Sequence, residues 1–148
     1  MKRRMITVTV MLVLSSVVFG EQAATAVSGH RLVEKIKGLL NQCISIVKSA
    51  GEKITGSTQP AQAVKVLKSA SSAIETPAKK LYGILSALED TVLKKIQSVL
   101  EKPFKEYFDE LMALDMKIYN IYKNNMFSEA GKALDQANSE FKHFAKGQ

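Results

Sequence analysis

The chain has 148 residues, of which 21 are basic and 14 are acidic, and its formal net charge is +7. A single cysteine excludes an intrachain disulfide, and one cysteine with two histidines gives no ligand set for a zinc site. The length fits one domain, which is large enough to bury about two-thirds of its unfolded surface without cross-links.

The first 26 residues have the three parts of a secretory signal peptide. Three basic residues lie within the first four, a charge-free stretch covers 5–20, and small residues continue to Ala26. The strongly apolar core is 6–19, which is shorter than the roughly 17 residues that a membrane-spanning helix needs. We therefore expect cleavage after Gly20, or as late as Ala26, and secretion into the extracellular space. An uncleaved membrane anchor is the alternative.

Basic charge is concentrated in the middle of the chain. Residues 27–100 contain 11 basic and 5 acidic residues, whereas residues 101–148 contain 7 and 8. The other three basic residues, Lys2, Arg3 and Arg4, belong to the predicted signal peptide. Because no basic stripe carries interleaved aromatic residues, a nucleic-acid partner is not expected.

Apolar residues recur at steps of three and four through residues 27–148. This spacing predicts a single all-α domain, a bundle of about five amphipathic helices. The first helix is predicted from Leu32 to Ala50, and Pro60 stands where a first-turn proline opens a second helix.

Two further prolines and a serine predict the remaining helix boundaries. Thr76-Pro77 is typical of a helix start and predicts the third helix. Pro103 disfavours helical geometry at Lys102, so the chain should break or bend there before a fourth helix. Ser128 is the predicted N-cap of the last helix.

Aromatic side chains lie mainly after Pro103 and have two interpretations. At helical spacing they can fill the core, or they can line an apolar pocket between helices with tyrosine hydroxyls at its rim. The pocket interpretation predicts ligand-binding residues Phe104, Tyr107, Phe108, Tyr119, Tyr122, Phe141 and Phe144.

Lysines line the polar sides of the predicted second and third helices. They favour either a solvated surface or a surface that binds an anionic membrane or an extracellular protein. The binding interpretation predicts a surface formed by Lys65, Lys68, Lys79, Lys80, Lys94 and Lys95.

The sequence contains few of the residue patterns that a catalytic site needs. His30 and His143 have no neighbouring nucleophile and orienting group, so we expect no enzyme, no cofactor and no metal. Cys43 lies on an apolar stripe and is predicted to be a buried thiol. The alternative is an interchain disulfide that makes a covalent homodimer, since an unpaired cysteine in a secreted chain permits one.

These features predict a secreted, non-enzymatic binding protein that sequesters a lipid or another apolar small molecule between its helices. The architecture is similar, by its pattern of helices and without a shared motif, to that of extracellular amphipathic-helix carriers such as the insect apolipophorins, and architecture alone does not fix function. The alternative is a secreted effector of the venom or saliva type, acting on a host protein or an anionic membrane through basic amphipathic helices.

Overall fold

The computed structural model describes residues 23–148, with side chains from residue 29 onward. The predicted signal peptide, 1–20, lies outside these residues. The described chain is all-helical, as predicted, and no strand occurs within it. Its four helices are α1 (Ala23–Lys53), α2 (Pro60–Ala87), α3 (Asp90–Lys123) and α4 (Glu129–Ala145).

The prediction of about five helices is wrong, because neither internal proline interrupts its helix. Pro77 lies inside α2, and Pro103 lies inside α3. A proline in a helix removes the donor to the carbonyl four residues earlier. Those carbonyls belong to Ala73 and Val99, two exposed residues, so water can bond the carbonyls in place of the missing donor.

The chain instead turns at Leu88 and Glu89, within the predicted third helix. Both residues have extended backbone, with ψ of 141° and 148°. A helix running from Pro60 to Lys123 would be about 96 Å long and could not fold back on its own apolar stripe. The turn lets the stripes of α2 and α3 face one core, and Asp90 in the first turn of α3 suits the helix dipole.

The four helices form a closed ring in which each packs closely on two others. α1 packs against α2 and α3, and α4 packs against α2 and α3. α2 and α3 contact each other little, although only two residues separate them, so they occupy opposite corners of the bundle. Consecutive helices run in opposite directions, and the neighbours α1 and α3 are therefore parallel.

One apolar core runs through the bundle. The predicted stripe of the first helix is buried at Ile36, Leu40, Cys43 and Val47. The largest fully buried side chains come from all four helices and from Ile54, just after α1: Tyr107, Phe141, Ile36, Leu40, Ile54, Leu67, Ile74, Leu81, Ile118, Leu134, Val47 and Cys43. No helix within residues 23–148 combines the length and apolar character needed to cross a membrane.

The ends of the helices are fixed by specific contacts. Ser128 is the N-cap of α4, as predicted, and its hydroxyl accepts a hydrogen bond from the Gly131 amide at 3.0 Å. Gly131 lies against the Asn125 carbonyl, since a Cβ added there would be 1.9 Å from that oxygen. Near the end of α1, the Gly51 carbonyl accepts a hydrogen bond from Lys117 Nζ on α3 at 2.6 Å.

Candidate functional site

The seven predicted ligand-binding aromatics do not share one environment. Phe104, Tyr107 and Phe141 are buried, and Phe108, Tyr122 and Phe144 are half-buried against the core. Tyr119 is 61% exposed. The structure brings together three of the seven on α3: Phe108 lies with its ring centroid 6.4 Å from that of Phe104 and 5.7 Å from that of Tyr107.

Tyr107 is the centre of a buried polar cluster. Its hydroxyl donates a hydrogen bond to the Ala145 carbonyl at 2.6 Å and lies beside the thiol of Cys43. Burial raises the pKa of Tyr107 well above its usual range and raises the pKa of Cys43 to about 11. Burial also raises the pKa of Tyr82 to about 12. All three side chains are therefore neutral near pH 7 and unsuited to nucleophilic chemistry.

The C-terminal residues close over this cluster. Gly147 has a φ of 70°, in the left-handed region that favours glycine. A Cβ at Gly147 would lie 2.8 Å from Tyr82 Cβ and 3.0 Å from the Ala78 carbonyl. The last turn of the chain therefore packs tightly on α2.

The carboxylates of α3 contact lysines. Asp109 pairs with Lys105 at 2.6 Å, and Glu110 lies 3.8 Å from Lys48. Asp115 accepts hydrogen bonds from Asn138 at 2.9 Å and Lys142 at 2.6 Å. Lys48 and Lys142 therefore connect α3 to α1 and to α4, whereas the Lys105–Asp109 pair lies within α3.

Two of these contacts have resolved effects on pKa. Glu106 accepts from Lys48 at 2.8 Å, which raises the pKa of that lysine. Partial burial opposes the charge of Asp115, but the hydrogen bonds from Asn138 and Lys142 outweigh it and hold the pKa of Asp115 below 3.8.

The predicted basic surface divides between two helices. Lys65, Lys68, Lys79 and Lys80 lie exposed along α2, whose only acidic residue is Glu75, while Lys94 and Lys95 lie exposed near the start of α3. Residues 29–88, which contain the described side chains of α1 and all of α2, carry nine basic and three acidic residues, a net charge of +6. Residues 89–148 carry nine basic and ten acidic residues. The positive charge is therefore on the α1–α2 side of the ring.

A shallow groove runs between α1 and α2 on this side. At one end it is lined by Leu39, Ile84, Gly38, Gly83, Ala87, Glu34, Lys35, Gln42 and Lys80. A second shallow depression adjoins it at Gln42 and is lined by Asn41, Ser45, Ile46, Ala73 and Pro77, and the two together are called the groove. A Cβ at Gly38 or Gly83 would meet nothing within 4 Å, so these glycines leave the groove open. From Glu34 to Ile46 the groove is about 18 Å long.

Of the two lysines that line the groove, the predicted basic surface included Lys80 but not Lys35, and the groove itself was not predicted. The missed residues are Gly38, Leu39, Gly83 and Ile84. The sequence does contain a weak signal for two of these residues. Gly38 and Gly83 are glycines in helix interiors, where glycine costs up to about 1 kcal/mol of stability relative to alanine.

Both histidines are exposed. His30 lies on α1, and His143 lies on α4 with its ring against Phe144. Among residues 23–148, no three histidine, cysteine or acidic side chains come close enough together to hold a metal ion.

Comparison of the chain with models of protein families, with curated proteins and with solved structures found no match in any of the three.

Proposed function

We propose that this chain is a secreted, non-enzymatic protein that binds anionic amphiphiles on its α1–α2 side. The observation that carries the proposal is the net charge of +6 on residues 29–88, beside a groove with an apolar floor. A molecule with a negative head group and an acyl chain matches both features, because the lysines attract the head and the floor receives the chain.

Two lysines at one end of the groove are the proposed head-group contacts. Lys35 on α1 and Lys80 on α2 both line the groove, and neither forms an ion pair within residues 29–148. The neighbouring Glu34 is already 4.0 Å from Lys37. The groove therefore has one lysine without an ion-pair partner among the described residues on each of its two walls.

Partly buried apolar side chains form the proposed acyl-chain contacts. Leu39, Ile84 and Ile46 pack against the core and also line the groove. The length of about 18 Å is comparable with that of an extended fatty-acid chain. Burial of such a chain contributes about 25 cal/mol per Å² of apolar surface removed from water.

Binding assays with paired charge variants test this proposal. Laurate and vesicles of phosphatidylcholine with phosphatidylglycerol present the same chemistry as a free amphiphile and as a membrane surface. We expect Lys35→Glu/Lys80→Glu to lose binding, whereas Lys102→Glu/Lys132→Glu, with the same change of net charge, retains it. Equal loss in both variants would overturn the site, since only total charge would then matter.

A second substitution separates the two sources of the ligand. Gly83→Leu fills the groove while leaving every lysine in place. If the ligand is a free amphiphile, this change abolishes the binding of laurate. If the ligand is a membrane surface, vesicle binding persists and falls steeply with added salt. N-terminal sequencing of the chain released by a secreting host tests secretion, with Glu21 or Val27 as the expected first residue.

A second candidate keeps the ligand between helices, beside the aromatic side chains. The observation that favours it is the half-buried state of Phe108, Tyr122 and Phe144, which places aromatic surface at the edge of the core. Fatty acids should then raise the melting temperature of the wild type and not that of Phe108→Ala. Binding that depends on Lys35 and Lys80, and not on Phe108, contradicts this candidate.

A further inference from the structure

The outer side of α3 carries a row of apolar side chains in water. Met112 and Met116 are each 66% exposed, and Tyr119 is 61% exposed. Their spacing of four and three residues places them on one face of the helix. That face lies opposite the one that buries Leu114 and Ile118. The row is therefore not part of the core and has no partner within residues 23–148.

This row belongs to a longer stripe whose spacing is symmetric about Met112. Positions four, seven and eleven residues away on either side lie on the same face of a 3.6-residue helix. We name this set the outer stripe; it consists of Glu101, Lys105, Phe108, Met112, Met116, Tyr119 and Lys123. The helix is continuous through Pro103, so the spacing holds from one end to the other.

We propose that the outer stripe binds the outer stripe of a second copy of this chain, with the two α3 helices antiparallel and a two-fold axis at Met112. In that register Glu101 of each copy meets Lys123 of the other. Both residues are exposed, and neither has an ion-pair partner among the described residues. The opposite charges at the two ends of one stripe are thus complementary to the same stripe reversed.

The inner positions of the stripe are complementary in the same register. Lys105 meets Tyr119, a pairing that allows a cation–π contact. Phe108 meets Met116, and sulfur–aromatic contacts are favourable. Met112 meets its own copy on the axis. A parallel arrangement would instead place glutamate on glutamate and lysine on lysine, so charge selects the antiparallel one.

The size of the outer stripe determines the expected affinity of the dimer. From Glu101 to Lys123 it is about 33 Å long. One pair of helices lies at the small end of specific interfaces, which bury about 800 Å² per partner. We therefore expect a reversible dimer that forms at concentrations of the order of micromolar. It does not require Cys43, which is 0% exposed in the core.

Sedimentation equilibrium of charge variants tests the pairing. We expect the wild-type chain to dimerise and Met112→Glu to be monomeric at the same concentrations. Glu101→Lys and Lys123→Glu should each weaken the dimer at least tenfold. The double variant Glu101→Lys/Lys123→Glu should restore it, because the two charges exchange places. Glu89→Lys, outside the stripe, is the control for net charge.

Disulfide trapping tests the position of the two-fold axis. Met112→Cys should form a covalent dimer in mild oxidant, since the two copies of this position meet. Tyr119→Cys should not, because the two copies lie about 21 Å apart along the helices. The substitutions are on the exposed face, so far-UV circular dichroism should show unchanged helix content in each.

Several outcomes overturn the proposal. They are a chain that stays monomeric up to millimolar concentration, a dimer that survives Met112→Glu, a double charge variant that is not restored, and equal trapping at both cysteine positions. A monomer that uses the outer stripe to bind vesicles or another protein overturns it as well.

Discussion

The Tyr107 hydroxyl on α3 donates to the Ala145 carbonyl at the end of α4, at 2.6 Å, from a side chain that is 0% exposed. Tyr107→Phe leaves the buried carbonyl without this donor, which costs about 1–3 kcal/mol of unfolding free energy. Urea denaturation measures the loss. Tyr119→Phe removes an exposed hydroxyl and should change stability by less than about 0.5 kcal/mol. Equal effects of the two substitutions would contradict the assigned hydrogen bond.

Cys43 is expected to resist modification in the folded chain. Its side chain is 0% exposed, and burial raises its pKa from 9.0 to about 11, so the reactive thiolate is scarce at pH 8. Iodoacetamide at pH 8 should label it slowly in buffer and rapidly in urea, as mass spectrometry can follow. Rapid labelling of the folded chain would show that the thiol is accessible and would favour the interchain disulfide.

Gly131 and Gly83 are both helical glycines but should respond oppositely to alanine. At Gly131 a Cβ would lie 1.9 Å from the Asn125 carbonyl oxygen, so Gly131→Ala forces the turn before α4 to move and destabilises the chain. At Gly83 a Cβ meets nothing within 4 Å, and Gly83→Ala should gain about 0.5–1 kcal/mol. Thermal melts compare the two. A stabilising Gly131→Ala would contradict the close contact.

Pro103 tests the continuity of α3. If the helix runs through this position, Pro103→Ala restores a hydrogen bond to the Val99 carbonyl and stabilises the chain by up to about 3 kcal/mol. Pro60, in the first turn of α2, has no such bond to restore, and Pro60→Ala is the matched control. Urea denaturation should separate the two. If Pro103→Ala does not raise the free energy of unfolding, the helix is interrupted at Pro103.

Asp115 makes a pH-dependent contribution to stability. Its pKa is held below 3.8, so the folded state loses this proton more readily than the unfolded state. The contribution is present above the unfolded pKa and is lost as the pH falls through the folded pKa. Asp115→Asn should therefore destabilise the chain at pH 7 and make little difference at pH 2. The control is Asp135→Asn, on an exposed part of α4, which should leave the free energy of unfolding unchanged at both pH 7 and pH 2.

Periodicity predicted the helices and their buried sides, but not where the chain turns back. The steps of three and four placed Leu40 and Val47 in the core, and Ser128 was correctly assigned as a cap, because these signals are local. The prolines misled because the cost of an internal proline is about 3 kcal/mol, less than the gain from burying the stripe of a long helix. The apolar spacing continues unbroken across Leu88, so nothing local marks that turn.

The candidate site was predictable only in part. The excess of lysines over acids on α2 is a property of composition and could be read directly from the sequence. The groove requires α1 and α2 to lie side by side with Gly38 and Gly83 along the open space between them, which only tertiary packing determines. The same holds for Tyr107 and Ala145, which are 38 residues apart in the chain.

The placement of α2 and α3 at opposite corners of the bundle has a consequence for how this chain would act on a membrane. When two copies join through the outer stripes of α3, their lysine-bearing α2 helices point away from each other. The pair would then be bivalent, with one of the proposed anion-binding sides at each end. Such a pair would tether two anionic vesicles to each other, so turbidity should rise with the wild type and not with Met112→Glu.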